Sequence, residues 1–561
     1  MSSRSSLKRR KSARDPSKAP LESTEQELVQ VNAWISESMS VTLPSSPTDK
    51  ELFTYCNPRR LTLQSAQLAA LASVAWSLSQ LGLTDPWLIV IVTPLAIGLI
   101  ISAVSIALGI GLRKFNVERH LSHIRSWSAE VEEFPSVDVF LPTCGEDIRI
   151  LANTFRHLAD LQYPGPLSII VLDDSCRPAV RSLADSHGFV YLTRPDRGVM
   201  KKAGNLRFGF ANSEGEFFVV FDADFCPRPD FLAHALPYMD SEHVAIVQTP
   251  QFFDAHESSQ VWIESGAASV QEYFYRWVQP VRNRWSGAIC VGSCAVYRRA
   301  ALEPMGGTAL IEHSEDVHTG FAALAAGYRI HYLPLVLAKG VCPDNVPAFI
   351  NQQYRWCVGS LSLVTSSKFW RARVGVMPRV CFGTGFSYYV LTGILTIVNP
   401  LPLIALIWAW PELVSWRSWI PLIPAFMVTF IILPKWHTKT YGIDAFATKY
   451  VYGWAHLFAL TDIVRGRRAE WRPTGSSSAA TTRRAFPTAV RVWTLTWLLA
   501  LGGGVFIRQP GSSREDLIPI GVFALINTTI ALAALRPTTR SDRHVEQHLS
   551  LIPPDANLES Q

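Results

Sequence analysis

The run EFFVVFDADFCP, residues 216–227, is a short block of bulky apolar side chains that stops at two aspartates, Asp222 and Asp224. It reads as a β-strand, and the spacing of the two acids aims both carboxylates to one side of an extended chain. LSIIVLDD (167–174) stops in the same way, at Asp173-Asp174. VDVFLP (137–142) and VAIVQTP (244–250) are further runs of this kind, with stretches of helical pattern between them. That alternation predicts a mostly parallel sheet with helices on both faces. In open sheets of this type ligands sit beyond the carboxyl ends of the strands, where both acidic pairs fall.

Outside this region the texture changes. LTLQSAQLAALASVAWSLSQLGL (61–83) carries no charge, and PWLIVIVTPLAIGLIISAVSIALGIGL (86–112) is more apolar still. Each exceeds the roughly 20 residues needed to cross a bilayer, and together they predict a helical hairpin. Further spans are expected at 386–410, interrupted by Asn399-Pro400, and at 419–436, 489–507 and 517–535, six in all. With 48% hydrophobic and only 17% charged residues, the chain has the composition of a membrane protein. At 561 residues it is also too long for one core.

The expected divisions are a basic disordered tail at 1–58 and two spans at 59–112. A soluble domain at 113–380 and two spans at 381–436 follow. An amphipathic interfacial segment at 437–487, two spans at 488–536 and a polar tail at 537–561 complete the chain. Basic residues crowd the first twenty positions and 435–484, while the predicted outer loops carry few. The positive-inside rule therefore places both termini and the soluble domain in the cytosol. No secretory signal peptide is expected at the polar, Ser/Lys/Arg-rich start. The nine cysteines form no paired framework, and Cys290 and Cys294 lack a second pair at zinc-ligand spacing. They read as small, reduced core residues.

Two more constellations carry chemistry. In HSEDVHTGFAALAAGYR (313–329), Val317, Phe321 and Leu324 repeat at helical spacing, Ser314 is placed as an N-cap, and Glu315 and Asp316 fall in the first turn. Helix-dipole stabilisation accounts for one acid there, not for the whole cluster. Gln352-Gln353-Tyr354-Arg355-Trp356 then precedes the third span. Displacing a nucleoside diphosphate from a sugar requires a metal and cations on the leaving phosphates, with a base on the attacking hydroxyl. A divalent metal held by one or two carboxylates plus substrate phosphates suits Asp222 and Asp224. Arg355 can neutralise a diphosphate, and the indole of Trp356 suits the apolar face of a sugar ring.

These elements, in this order and between membrane helices, resemble the processive glycosyltransferases of family 2, above all the cellulose synthase and cellulose synthase-like group. The pattern of that group, D, D, D, Q-x-x-R-W, appears here as Asp173/Asp174, Asp222/Asp224, Asp316 and Gln352 to Trp356. PTCGED (142–147), KAGNLR (202–207), VQTPQFF (247–253), VGSCAVYRR (291–299) and GVCP (340–343) match as secondary motifs, and the likeness covers roughly 135–475. The resemblance implies a Rossmann-like α/β glycosyltransferase A-type cytosolic domain inserted between about six transmembrane helices. It implies that Thr143, Glu146, Asp173 and Asp174 hold the nucleoside of a UDP-sugar. Lys202, Asp222, Gln352 and Arg355 would contact the diphosphate, and Asp222 and Asp224 its Mg²⁺ or Mn²⁺. Asp316, with Glu315 beside it, would be the general base, and Trp356 would stack on the terminal sugar of a growing polysaccharide.

The implied activity is an inverting, processive synthesis of a β-linked glucan, β-1,4 or mixed β-1,3/1,4, from UDP-glucose. Threading of the product through the membrane would accompany it. A chitin- or hyaluronan-like synthase using UDP-N-acetylglucosamine is the alternative, and a non-catalytic transporter or scaffold the third reading. Partners are then the donor, the polymer and the lipid bilayer, with no nucleic acid; homo-oligomers or accessory subunits are left open, and the plasma membrane is the expected location. Departures are SED for the group's commoner TED, and Cys144 where relatives carry an aromatic residue. The gating motif F-x-V-T-x-K is replaced by Trp471-Arg472-Pro473-Thr474-Gly475, read as a variant lid with Trp471 and Thr474 at its key positions. Nothing in 537–561 matches a cyclic-dinucleotide-binding barrel, so regulation by that route is not expected.

Overall fold

The computed structural model describes residues 43–56, 60–254, 261–467, 481–508 and 513–538. The sheet is built from β1 (Val137–Thr143), β2 (Leu167–Asp173), β3 (Val190–Leu192), β4 (Phe217–Val220), β6 (Val244–Gln248), β8 (Ala295–Arg298) and β9 (Arg329–Tyr332), in the order β3-β2-β1-β4-β8-β6-β9. β5 (Cys226–Pro227), β10 (Ala338–Val341) and β7 (Phe252–Asp254) form a smaller sheet beside it. All pairings of the large sheet are parallel except those of β8, which runs antiparallel to both β4 and β6. Every residue of β1, β4 and β6 is buried, which is why these runs are largely apolar instead of alternating, with Asp138, Thr143 and Gln248 the buried polar exceptions. Phe218 anchors this core, stacked between Phe140 and Tyr297 at centroid distances of 5.0 and 4.8 Å.

Register sets the position of the acids. Thr143 lies beside Asp173, and Phe140 beside Val220, so Asp222 emerges just beyond the same edge. The order of strands reverses at β1, with β2 on one side and β4 on the other. The acids of both motifs therefore open at a topological switch point, where α/β sheets form their binding crevice.

Among the described residues, five helices are long and apolar enough to cross a membrane: Pro86–Leu108, Val376–Ala409, Trp416–Trp436, Ala485–Arg508 and Arg514–Ala534. The chain is a membrane protein with an α/β domain between its second and third long apolar segments. The sixth expected span forms the helix Arg60–Thr84, 25 residues long and paired with Pro86–Leu108 as a hairpin. Its composition falls short because two glutamines serve protein contacts: Gln64 donates to Ile106 O at 3.2 Å and Gln67 to Tyr273 Oη at 3.0 Å. The third span starts at Val376, ten residues earlier than the sequence indicates, and turns at Asn399-Pro400 as expected.

Two expectations need correction. Residues 43–56, assigned to the disordered tail, are packed on the α/β domain. Tyr55 and Cys56 are buried, Asn153 donates to Pro44 O, Arg228 pairs with Asp49, and Lys339 pairs with Glu51. The described part of the segment 437–487 is more enclosed than an interfacial helix. Its helix Ile443–Val464 is packed against the spans 376–398 and 514–534 and against the helices 262–273 and 346–364. Small residues permit this: a Cβ on Gly453 would lie 2.1 Å from Thr396 Oγ1, and one on Gly266 2.1 Å from Thr448 Oγ1.

Candidate active site

At and just beyond the carboxyl ends of β1 and β2 lie Thr143, Glu146, Asp173 and Asp174. Glu146 Oε2 accepts from Thr143 Oγ1 at 2.5 Å and from Cys144 N at 2.6 Å, closing the turn after β1. Asp173 is fully buried, and both its oxygens are occupied. Oδ1 accepts from Ser175 N and Oγ, and Oδ2 from Arg177 N and Tyr191 Oη, all at 2.8–2.9 Å. Asp174 is bound in bidentate fashion by Arg194, at 2.6 and 2.9 Å, and also accepts from Gly198 N. Both acids of this pair thus order protein through the hydrogen bonds they accept.

Arg194 carries that order onward. It donates to Val199 O and Lys201 O, at 2.7 and 3.1 Å, immediately before the helix Lys201–Ala211. Met200 and Lys201 both hold left-handed conformations, φ +54° and +49°. Two such residues in succession cost about 1–3 kcal/mol each and persist only where surroundings enforce them. The result is the placement of Lys202: its Nζ lies 2.5 Å from Asp222 Oδ1, 2.9 Å from Gly292 O and 3.9 Å from Glu315 Oε1. Burial pulls the Lys202 pKa down, but Asp222, Glu315 and Asp316 outweigh it and hold the ammonium firmly charged.

Asp222 and Asp224 follow β4. Asp222 N donates to Ser293 Oγ at 2.9 Å, which ties the acid loop to the VGSC loop. Burial, reinforced by repulsion from Asp222, pushes the Asp224 carboxyl up to about 7. A buried carboxyl raised by the charge of its neighbour is a site a divalent cation would relieve, so the residues fit the implied metal. Among the described residues no group of three His, Cys, Asp or Glu side chains could hold an ion without help, so substrate oxygens would have to complete the coordination.

Glu315 and Asp316 begin the helix Glu315–Ala325. Burial and the neighbouring Glu315 push the Asp316 carboxyl up to about 7, while Glu315 is raised by burial against the pull of Lys202. The expected N-cap is absent. Ser314 has φ +56° and its side chain caps nothing; it is pressed instead against Gly359, where a Cβ would lie 2.0 Å from Ser314 Oγ. The helix Val346–Val364 that carries Gly359 also carries Gln352, Arg355 and Trp356, each half-buried and three or four residues apart on one face. Burial lowers Arg355 to about 10, and Asp222 and Glu315 are the acids that oppose this, so its guanidinium shares their field. Tyr354 Oη donates to Asp462 at 3.0 Å, fastening this helix to Ile443–Val464. Trp471 and Thr474 lie outside the described residues.

Two motifs noticed in the sequence, but given no task there, build the floor of this site. Gln248 is completely buried; its Nε2 donates to Thr249 O and Ser293 O, and its Oε1 accepts from Val291 N. Those bonds fix the loop 291–294, in which Gly292 has φ +75° and Cys294 φ +54°. A Cβ on Gly292 would stand 2.9 Å from both Asp316 Cβ and Asp316 Oδ2. Only glycine fits there on both counts. Gly292→Ala is therefore expected to displace the Asp316 carboxylate and to lower the thermal midpoint, since forcing a Cβ into φ > 0 costs about 1–2 kcal/mol. A variant that melts like wild type and keeps its activity would contradict the contact.

Residues 217–433 match the family model described as glycosyl transferase family group 2. Cellulose synthase 1 of Komagataeibacter xylinus is 31% identical over 236 residues, which are 41% of this chain and 15% of that protein. The UDP-forming cellulose synthase catalytic subunit of Pseudomonas fluorescens is 31% identical over 265 residues, 46% of this chain and 36% of the subunit. The chain thus spans about a third or less of the length of these curated relatives. Among solved structures, a mannosyltransferase from Pyrobaculum calidifontis in complex with GDP-Man and Mn²⁺ superposes with a TM-score of 0.43 at 19% identity. That match covers 66% of this chain and all of the other.

Proposed function

We propose that the chain, whose residues 217–433 match the family 2 glycosyltransferase model, polymerises a β-glucan from UDP-glucose and passes the product through its membrane helices. The observation that carries this reading is the convergence of Asp222, Glu315 and Gly292 O within 4 Å of the Lys202 ammonium, with Asp316 packed against Gly292. Cationic, acidic and basic functions for one displacement are then within reach of a single sugar diphosphate.

In this proposal Asp316 takes the proton of the acceptor hydroxyl as its oxygen attacks the anomeric carbon of glucose. The bond from that carbon to the diphosphate oxygen breaks on the opposite face, UDP departs with the electron pair, and the configuration inverts. Lys202 and Arg355 meet the charge that gathers on the diphosphate. Asp222 and Asp224 would hold Mg²⁺ or Mn²⁺, which when bound neutralises phosphate charge. Thr143 and Glu146 would face the nucleoside, whereas Asp173 and Asp174 act by fixing the loops that carry it. Gln352 and Trp356 would meet the diphosphate and the terminal sugar, on a helix joined to the spans through Ile443–Val464. Trp471 and Thr474 would serve as a lid. We place the α/β domain and both termini on the cytosolic side, in the plasma membrane.

Two expected outcomes arise here. Chelation should abolish transfer and Mn²⁺ or Mg²⁺ restore it; activity that survives exhaustive chelation would remove Asp222 and Asp224 from this role. Below about pH 7 transfer should rise tenfold per unit and then level off, because a raised Asp316 carboxyl must lose its proton before it can accept one. Saturating metal strips the proton from Asp224 at lower pH, so a limb that persists under saturation belongs to Asp316. Donor identity is tested by supplying UDP-glucose, UDP-N-acetylglucosamine and GDP-mannose in parallel. Preference for UDP-N-acetylglucosamine would overturn the glucan assignment and favour a chitin- or hyaluronan-like product.

A further inference from the structure

Between the helix that carries Gln352 to Trp356 and the span that begins at Val376 lies a loop whose chemistry the proposed reaction does not use. Ser366 N-caps the short helix Ser367–Arg371 by accepting from Phe369 N at 3.2 Å. Lys368, Trp370, Arg371 and Arg373 are all exposed, Trp370 by 65%. From Asn345 to Pro411 the sequence contains no Asp or Glu, so no nearby acid in sequence offsets these charges. Among the described residues none of Lys368, Arg371 and Arg373 forms an ion pair.

The loop is fastened to the start of the candidate span. Arg379, one turn into the span, reaches back to the carbonyl oxygens of Trp370 and Ala372, so the loop lies against the first turn of that helix. Val376, the first residue of that helix and a neighbour of Trp370, is an apolar side chain 72% exposed. Trp370 Nε1 donates to Val364 O at 2.8 Å, leaving the indole face outward as in the aromatic belt of membrane proteins. Phe369 is the anchor beneath: it is 1% exposed, stacked on Phe321 at 4.9 Å and packed against Phe382. The patch is therefore a fixed set of cations around an interfacial tryptophan.

We propose that Lys368, Arg371 and Arg373, with Trp370 as the apolar element, form a binding site for the headgroups of anionic phospholipids. Phosphodiester oxygens supply the negative charge that the surrounding sequence lacks, and the acyl chains lie along Val376 and the exposed face of the span. Basic residues immediately beside a membrane helix attract anionic lipid within a Debye length of the surface, and Arg adds a fork that fits phosphate. This inference depends on the span at 376–409 and not on the transferase reading.

The test uses the full chain purified in nanodiscs of mixed phosphatidylcholine and phosphatidylglycerol, with the retained lipids counted after exchange into detergent. Wild type should retain phosphatidylglycerol in excess over its share of the bilayer. The triple variant Lys368→Gln/Arg371→Gln/Arg373→Gln should lower that excess by at least about fivefold. Lys368→Arg/Arg371→Lys/Arg373→Lys should keep it, which separates lost charge from lost fold. A control of equal charge change beside the other hairpin, Arg113→Gln/Lys114→Gln/Arg119→Gln, should leave most of the excess in place. Millimolar inorganic phosphate should not displace the lipid, because the free anion lacks the acyl chains. Equal retention by wild type and the glutamine triple, equal loss in the control, or full displacement by phosphate would each overturn the site.

Discussion

Asp316→Asn is expected to reduce sugar transfer by ~10²–10⁴-fold, the range ordinarily lost with a positioned general base, while donor binding changes by less than about twofold. The substitution is close to isosteric, so Gly292 still fits against the side chain and the accepted bond from Val317 N, 2.8 Å in the wild type, can persist. What disappears is the ability to accept a proton. The environment supports the assignment: burial and Glu315 raise the carboxyl to about 7, near the pH at which a base is both ionised and strong enough to matter. Single-turnover transfer and equilibrium binding of the same UDP-sugar, measured side by side, separate the two effects. An Asp316→Asn enzyme that loses binding in proportion to activity would make the residue a donor contact and not a base. Full activity would remove it from the chemistry.

Arg194→Met should be the most damaging substitution for the fold of the α/β domain, costing ~3–5 kcal/mol, the usual effect of removing one partner of a buried ion pair. The pair with Asp174 has side chains only 1% and 3% exposed, and the arginine also satisfies two carbonyl oxygens. Without it Asp174 is a buried carboxylate whose nearest remaining donor is Gly198 N. Gly204 shows how tightly the guanidinium is seated, since a Cβ there would lie 2.4 Å from Arg194 Nη1. Denaturation of the purified protein gives the size of the loss. The double variant Arg194→Met/Asp174→Leu should recover at least about half of it, because no charge is then left buried. Failure to recover would mean that the hydrogen bonds to Val199 and Lys201, and not the charge pair, dominate.

The central strands and the order of the acids were legible from local patterns. β1, β4 and β6 are buried from end to end, so their apolar runs end where the protein ends and the site begins, at Thr143, Asp222 and Thr249. Gln352, Arg355 and Trp356 were legible for a related reason: helical spacing places them on one face whatever packs behind. The antiparallel β8 left no comparable sign, because AVYR is as apolar as a parallel strand would be and direction follows from its partners. Gln248 and Gly292 depend on contacts more than forty residues away in one case and twenty in the other, with Val291, Ser293 and Asp316. Residues 43–56 gave no sign because the stretch is short and mostly polar; the burial of Leu52, Tyr55 and Cys56 is decided by distant segments, as in the bond from Val336 N to Leu52 O. Ser314 was misjudged as a cap because the close approach of Gly359 forces it into a left-handed turn.

The measurement that bears most directly on the proposed polymerase is incorporation of radiolabelled UDP-glucose by the purified chain in nanodiscs with Mg²⁺ or Mn²⁺. The account predicts an alkali-insoluble product that lengthens with time, is solubilised by β-glucanase and is absent with Asp316→Asn. Release of free glucose, or transfer of a single sugar to a small acceptor without polymer, would contradict it.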